Sequence, residues 1–143
     1  MFILQENAID ISQARARYAD PSQNGALVTF EGMVRADEIE GHTVGELLYI
    51  ADHPACLAEG EKIIKEALSA FFITNAVCIQ RIGRLKVSET AVWIGVWAPH
   101  RDEAFKACRY IIEEIKKRLL VWKKEFYTDG GKAWIQGSQK PAV

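Results

Sequence analysis

The sequence predicts an α+β domain, on three observations. Strand-forming residues alternate in 26–35, 44–51, 76–82 and 90–98, and two long stretches, 54–72 and 100–119, carry apolar residues at helical spacing. The order strand, polar loop, strand across 26–51 suggests an antiparallel pair. The 143 residues suit one compact domain spanning 1–143, able to bury about two-thirds of its unfolded surface.

Taken in order, residues 2–9 read as a short edge strand, and Ser12 as the N-cap of a small helix over Ile11 to Tyr18. Asp20-Pro21-Ser22-Gln23-Asn24-Gly25 ends that helix. Ala26 to Arg35 is a strand with Leu27, Thr29 and Glu31 on one face and Val28 and Phe30 on the other. Ala36 to Thr43 is polar and acidic and reads as a mobile loop turning at Gly41, before a second strand over Val44 to Ala51. Asp52-His53-Pro54 leads into a helix reaching Phe72, since proline is tolerated in a first turn. Its buried face is expected to hold Cys56, Leu57, Ile63, Ile64, Ala67, Leu68 and Phe71, with Gly60 weakening it by roughly 1 kcal/mol relative to alanine. Ala76 to Ile82 is a third strand, Arg84 to Val87 a short pairing segment, and Thr90 to Ala98 a fourth strand. On the fourth strand Val92, Ile94 and Val96 face opposite to Trp93, Gly95 and Trp97.

An amphipathic run follows from His100 to Glu125, with Phe105, Cys108, Ile111, Ile112, Ile115 and Leu119 as its apolar stripe. Asp102 and Glu103 complement the positive end of the helix dipole. Trp122 to Tyr127, Thr128-Asp129-Gly130-Gly131 and Lys132 to Gln136 read as a hairpin, because Asp-Gly and Gly-Gly supply positive φ; residues through Pro141 read as frayed.

The whole chain carries net charge −1, yet residues 100–124 hold eight basic side chains against four acidic ones. One locally basic segment in a near-neutral protein points to an anionic ligand more than to a cationic surface. Within it, His100-Arg101 sits at a strand-to-helix junction where free N–H groups favour phosphate, although a solvated polar turn explains it equally well. Lys116 and Lys123 are seven apart and on a continuing helix would face the same way. Desolvation and a neighbouring cation would make such a lysine an acid, base or nucleophile. On spacing alone the blander explanation is stronger, since cations in a last helical turn are ordinary dipole partners. Arg35, closing its strand, reads by itself as an exposed charge.

Other classes are disfavoured. His53 and Cys56 lack a partner pair for zinc, so no metal is expected, and the phosphate-loop, dinucleotide and nucleophile-elbow motifs are absent, so no cofactor is expected either. No apolar run approaches the roughly 18 residues of a membrane span, and Met1 to Leu4 is too short for a signal core. Cys56, Cys78 and Cys108 are odd in number and widely spaced, which suggests free thiols and a cytoplasmic setting.

Val28-Thr29-Phe30-Glu31-Gly32-Met33-Val34-Arg35, Arg81-Ile82-Gly83, His100-Arg101 with Ala104-Phe105, Ile115-Lys116 and Trp122-Lys123-Lys124-Glu125 occur in that order. Together they resemble the large, catalytic subunit of molybdopterin synthase, over about residue 2 to Ile135. The resemblance implies an α/β hammerhead-type fold with added antiparallel strands, and a homodimer within a heterotetramer, binding a small ubiquitin-like sulfur-carrier subunit at each end. It implies that the carrier's Gly-Gly thiocarboxylate delivers sulfur to cyclic pyranopterin monophosphate, two transfers making the dithiolene of molybdopterin. By position it makes Lys116 the central catalytic lysine and Lys123 its partner. His100 and Arg101 would contact substrate, Arg35 would arrive from the other protomer, and Met33-Val34 and Lys124-Glu125 would line the pocket. The role of Lys116 as base, proton donor, nucleophile or electrostatic clamp stays open. The sequence departs from the family at Tyr49-Ile50-Ala51-Asp52-His53, which lacks a common glutamate and tyrosine. It also departs in its acidic 36–43 loop and at Ser138, near a tail arginine of some members.

Two rivals belong to other classes. A nucleic-acid-binding module would use the basic run and the tryptophans, against the negative total charge. A dimeric scaffold would bind the ubiquitin-like partner without turnover.

Overall fold

The computed structural model describes residues 1–19 and 22–135, with residues 133–135 described by backbone alone. The expectations attached to Asp20-Pro21, Gln136, Ser138 and Pro141 lie outside the described residues. The elements are β1 (Phe2–Gln5), α1 (Ile11–Tyr18), β2 (Ala26–Met33), β3 (Glu38–Ile39), β4 (His42–Ala51), α2 (His53–Ala70), β5 (Asn75–Arg81), β6 (Gly83–Lys86), β7 (Thr90–Ala98), α3 (Arg101–Arg118), β8 (Val121–Tyr127) and β9 (Lys132–Ile135).

A first sheet runs β1-β5-β7-β2, with β1 parallel to β5 and the other pairs antiparallel. Alternation on β7 decides its two faces. Val92, Ile94 and Val96 meet α2 and α3 through Ile63, Ile64, Ala104, Cys108 and Ile111, while Trp93 and Trp97 pack under α1 against Ala14. Gly95 lies beside Trp93, whose ring passes 2.5 Å from where a Cβ would stand, so only glycine admits the indole. Burial of Ile63, Ile94 or Ile111 contributes on the order of 1.5–3 kcal/mol each.

The second sheet runs β3-β4-β8-β9, with β6 also pairing with β4. Its core is Val44, Leu47, Tyr49 and Leu85, closed by Val34 and Ala91 from the edge of the first sheet. Arg118 ties α3 to α2, its guanidinium 2.6 Å from carboxylate oxygens of Glu59 and Glu66 and 3.2 Å from Glu114. Tyr110 donates to Glu66 at 2.6 Å, and these bonds hold the Glu66 pKa down at about 2. Among the described residues no helix is long and apolar enough to cross a membrane.

Several expectations change. Strands 26–35 and 44–51 do not pair with each other: β2 pairs β7, β4 pairs β8, and the chain between them crosses from one sheet to the other. Val34 makes that crossing, donating to the Glu89 carbonyl at 3.0 Å and accepting from Ser88 at 2.8 Å. The 36–43 loop is partly a tight hairpin, with Glu38 opposite Thr43. Asp10, not Ser12, caps α1, accepting from the Gln13 amide. Cys56, Ile63, Ile64 and Ala67 on α2 and Cys108, Ile111 and Ile115 on α3 are buried as expected, but Leu57, Leu68 and Phe105 at the edges of the two stripes are exposed, and Gly60, Ala104 and Ala107 take part in the buried faces. Gly60 is a packing requirement, since a Cβ there would stand 2.3 Å from the Phe2 ring.

The amphipathic run from His100 to Glu125 divides into a helix and a strand, the strand being the first arm of the expected hairpin, with β8 antiparallel to β9. The helix stops at Arg118, Leu119 turns extended (φ −76°, ψ 136°), and Val121 to Tyr127 forms strand β8. Leu119 is buried in the main core, and β8 is paired on both sides, by β4 and β9. Tertiary pairing outweighs continuation of the helix.

Candidate active site

The end of α3 leaves Lys116 facing the second sheet, and β8 brings Lys123 to the same place. Both line a cavity of about 350 Å³, together with Glu125, Tyr49 and Leu47 from the second sheet and Gly32 to Arg35 from the end of β2. Asp37 and Ile39 of the hairpin segment complete one wall. The sequence pair is therefore brought together, but by a strand crossing beside a helix end rather than by one continuous helix.

Strand alternation on β8 sorts its charges. Lys123 and Glu125 face the cavity. Lys124, between them, extends over the Phe126 ring at 5.6 Å and is not among the lining residues. Tyr49 is the cross-strand partner of Lys123, whose Nζ stands 5.9 Å from the centre of the Tyr49 ring. Burial alone pushes the Tyr49 phenol up to about 12. Glu125 is buried at 5% exposure and accepts a hydrogen bond from the Tyr127 hydroxyl at 3.0 Å. His42 stacks on the Tyr127 ring and bonds Asp129, which fastens the 38–43 hairpin to the β8–β9 turn.

Lys116 keeps one flank in solvent while the cavity walls withdraw water from the rest of its side chain. That desolvation, and next the charge of Lys123, lowers its pKa from the usual lysine value, with Cys78 opposing them. Arg35 lines the cavity of its own chain and holds Asp37 at 3.3 Å, so within one chain it already reaches the site that the resemblance has it entering from the other protomer. Met33 is exposed at the rim, and Val34 is buried with both backbone polar groups engaged by the β6–β7 turn. Arg81 supports that turn through Glu89 at 2.8 Å.

His100 and Arg101 are not gathered into this cavity. They open α3, exposed, and the sixteen residues to Lys116 set them roughly 24 Å from it along the helix axis. The other cations of α3 are engaged locally: Lys106 with Asp102 at 3.0 Å, Arg109 with Glu113 at 3.7 Å, and Lys117 with Glu114 at 3.4 Å. The positive excess seen in the sequence thus resolves into surface ion pairs, the two cavity lysines, Arg101 at the exposed start of α3 and Lys124 over the Phe126 ring.

A half-apolar cavity lined by two lysines, one of them with its pKa lowered by burial, and an arginine at its rim suits an anionic organic substrate. The family model described as MoaE protein matches residues 4–118. The chain belongs to the MoaE family. It is 45% identical over 122 residues to the molybdopterin synthase catalytic subunit of Pyrococcus abyssi, covering 85% of this chain and 81% of that one. The corresponding Nostoc protein is 42% identical over 118 residues, covering 82% and 71%. A crystal structure of molybdopterin synthase from Staphylococcus aureus superposes with a TM-score of 0.87 at 33% identity, covering 94% of this chain and 96% of that one. The MoaE match stops at the end of α3, so it includes Lys116, whereas Lys123 joins the site through β8 beyond it.

Sequence reasoning missed Asp37, Ile39 and Tyr49 as wall residues. Reading 122–127 as a strand opposite 44–51 would have found Tyr49, because it faces Lys123 across the ladder.

Proposed function

We propose that this chain is the catalytic subunit of a molybdopterin synthase, acting as one domain in the cytoplasm. It would transfer sulfur from the C-terminal thiocarboxylate of a small ubiquitin-like carrier to cyclic pyranopterin monophosphate, forming the dithiolene of molybdopterin. The observation that carries this reading is the convergence of Lys116 and Lys123 in one cavity of a MoaE-family chain.

The chemistry follows from the walls. Thiocarboxylate and cyclic phosphate are both anions, and Lys123 would supply positive charge where further negative charge develops as sulfur adds and the phosphate ester opens, with Arg35 at the rim held by Asp37. Lys116, whose pKa is lowered by burial and by the Lys123 charge, is the group suited to exchange a proton with the reacting atoms. Apolar surface from Val34, Ile39 and Leu47 would pack the pterin, with Glu125 as the buried acidic residue of the same lining. His100 and Arg101 take part only if a second copy carries its α3 start to this cavity, which we propose as the reason for a homodimer.

Reconstitution with a thiocarboxylated carrier and the cyclic pterin tests the reading. Lys116→Ala is expected to slow molybdopterin formation by about 100-fold or more. Formation at the wild-type rate by that variant would show the assignment to be wrong.

A further inference from the structure

We infer that Tyr49 is a positioning residue for the lysine pair: its ring, opposite Lys123 across the β4–β8 ladder, holds the Lys123 ammonium inside the cavity that Lys116 also lines. The geometry is specific. Tyr49 and Lys123 are register partners, so their side chains leave the sheet on the same face, and both line the cavity that contains Lys116. The Lys123 Nζ lies 5.9 Å from the ring centre, within the range where a π face attracts a cation. A lysine stem has four rotatable carbons and would otherwise swing its charge toward solvent at the mouth.

The ring can do this across the working pH range because burial keeps the phenol protonated, so it offers Lys123 a neutral face and not a second charge. Lys123 from β8 and Cys78 from β5 act on Lys116 electrostatically, and the other titratable groups facing its cavity are Glu125 from β8, Arg35 and Asp37 from the segment after β2, and Tyr49 from β4. Of these, Lys123 is the cation that lowers the Lys116 pKa after burial itself, and Arg35 is engaged by Asp37 at the rim. The position of one ammonium therefore contributes, after burial, to the proton affinity of the other, and Tyr49 is the ring that faces that ammonium across the ladder.

The inference builds on the proposed role of Lys116, but its test reads the protein alone. Lysines are reductively methylated with ¹³C-formaldehyde, which keeps their charge, and titrated by NMR, with Lys116 assigned from its absence in Lys116→Arg. Lys116 is expected to titrate equally in wild type and Tyr49→Phe. In Tyr49→Leu and in Lys123→Met it should titrate higher, by about half a unit to one unit. Tyr49→Leu should add nothing in the Lys123→Met background. An unmoved Lys116 in folded Tyr49→Leu, or an equal shift from Tyr49→Leu in both backgrounds, overturns the inference. If leucine at 49 prevents folding, stepwise fluorinated phenylalanines there weaken the ring face at nearly constant shape. Lys116 must then climb with each fluorine, and a flat series overturns the inference. Failed sulfur transfer alongside the expected titration series would count against the proposed function alone.

Discussion

Lys116 is held in an environment that disfavours its charge, so its removal has opposite consequences for activity and stability. Its folded pKa is lowered, so between the folded and unfolded values the unfolded chain binds more protons and stability rises with pH. Below both values the penalty is fully present. Lys116→Met is therefore expected to lose turnover yet unfold at the same or higher urea concentration at pH 7; a lower midpoint would show that the lysine stabilises the fold. Gly60 behaves differently, as a site with no room. Gly60→Ala forces a methyl into the Phe2 ring and is expected to cost about 1–3 kcal/mol, read by urea unfolding, although alanine is the better helix former.

At the scale of elements, the end of α3 is fastened to α2 by the Arg118 cluster. Glu66 has a folded pKa of about 2, below the unfolded carboxylate value of about 4.3, so its ionised form stabilises the fold above that value and the contribution is lost as pH falls toward the folded one. Glu66→Gln should be less stable than wild type at pH 7 and should lose less stability between about pH 4.5 and 2. Parallel urea midpoints for the two proteins across that range would rule out this origin. The 38–43 hairpin depends on a smaller latch, the contact of His42 with Asp129. Asp129→Ala should speed hydrogen exchange at the hairpin amides while leaving the β5 and β7 amides protected, because the two regions belong to separate sheets. Unchanged exchange in the hairpin would show that pairing within the second sheet suffices. From sequence the segment reads as a mobile loop, since acidic residues and Gly41 signal a turn but do not reveal a contact made across 87 residues.

For the whole molecule, the distance between the two ends of α3 makes the proposed second copy testable. Lys116→Ala and Arg101→Ala are each expected to be inactive. If Arg101 acts on the partner's cavity, co-refolding them in equal amounts restores one intact site per mixed dimer, or about a quarter of wild-type activity for random pairing. If Arg101 acts within its own chain, the mixture stays inactive.

The sequence by itself determined the local structure: alternation placed the two faces of β7, helical spacing placed Cys108, Ile111 and Ile115 inside, and the ordered motifs pointed to the family. These are properties of neighbouring residues and of side-chain period, which a one-dimensional string carries. The three-dimensional packing settled that β2 and β4 belong to different sheets, that the expected 122–127 strand pairs with β4 as well as β9, and that Lys123 therefore shares a cavity with Lys116 and has Tyr49 opposite it. Strand pairing is a choice among distant partners of similar propensity, and its outcome depends on which pairing buries Leu119, Val44 and Leu85 together with the rest of the chain.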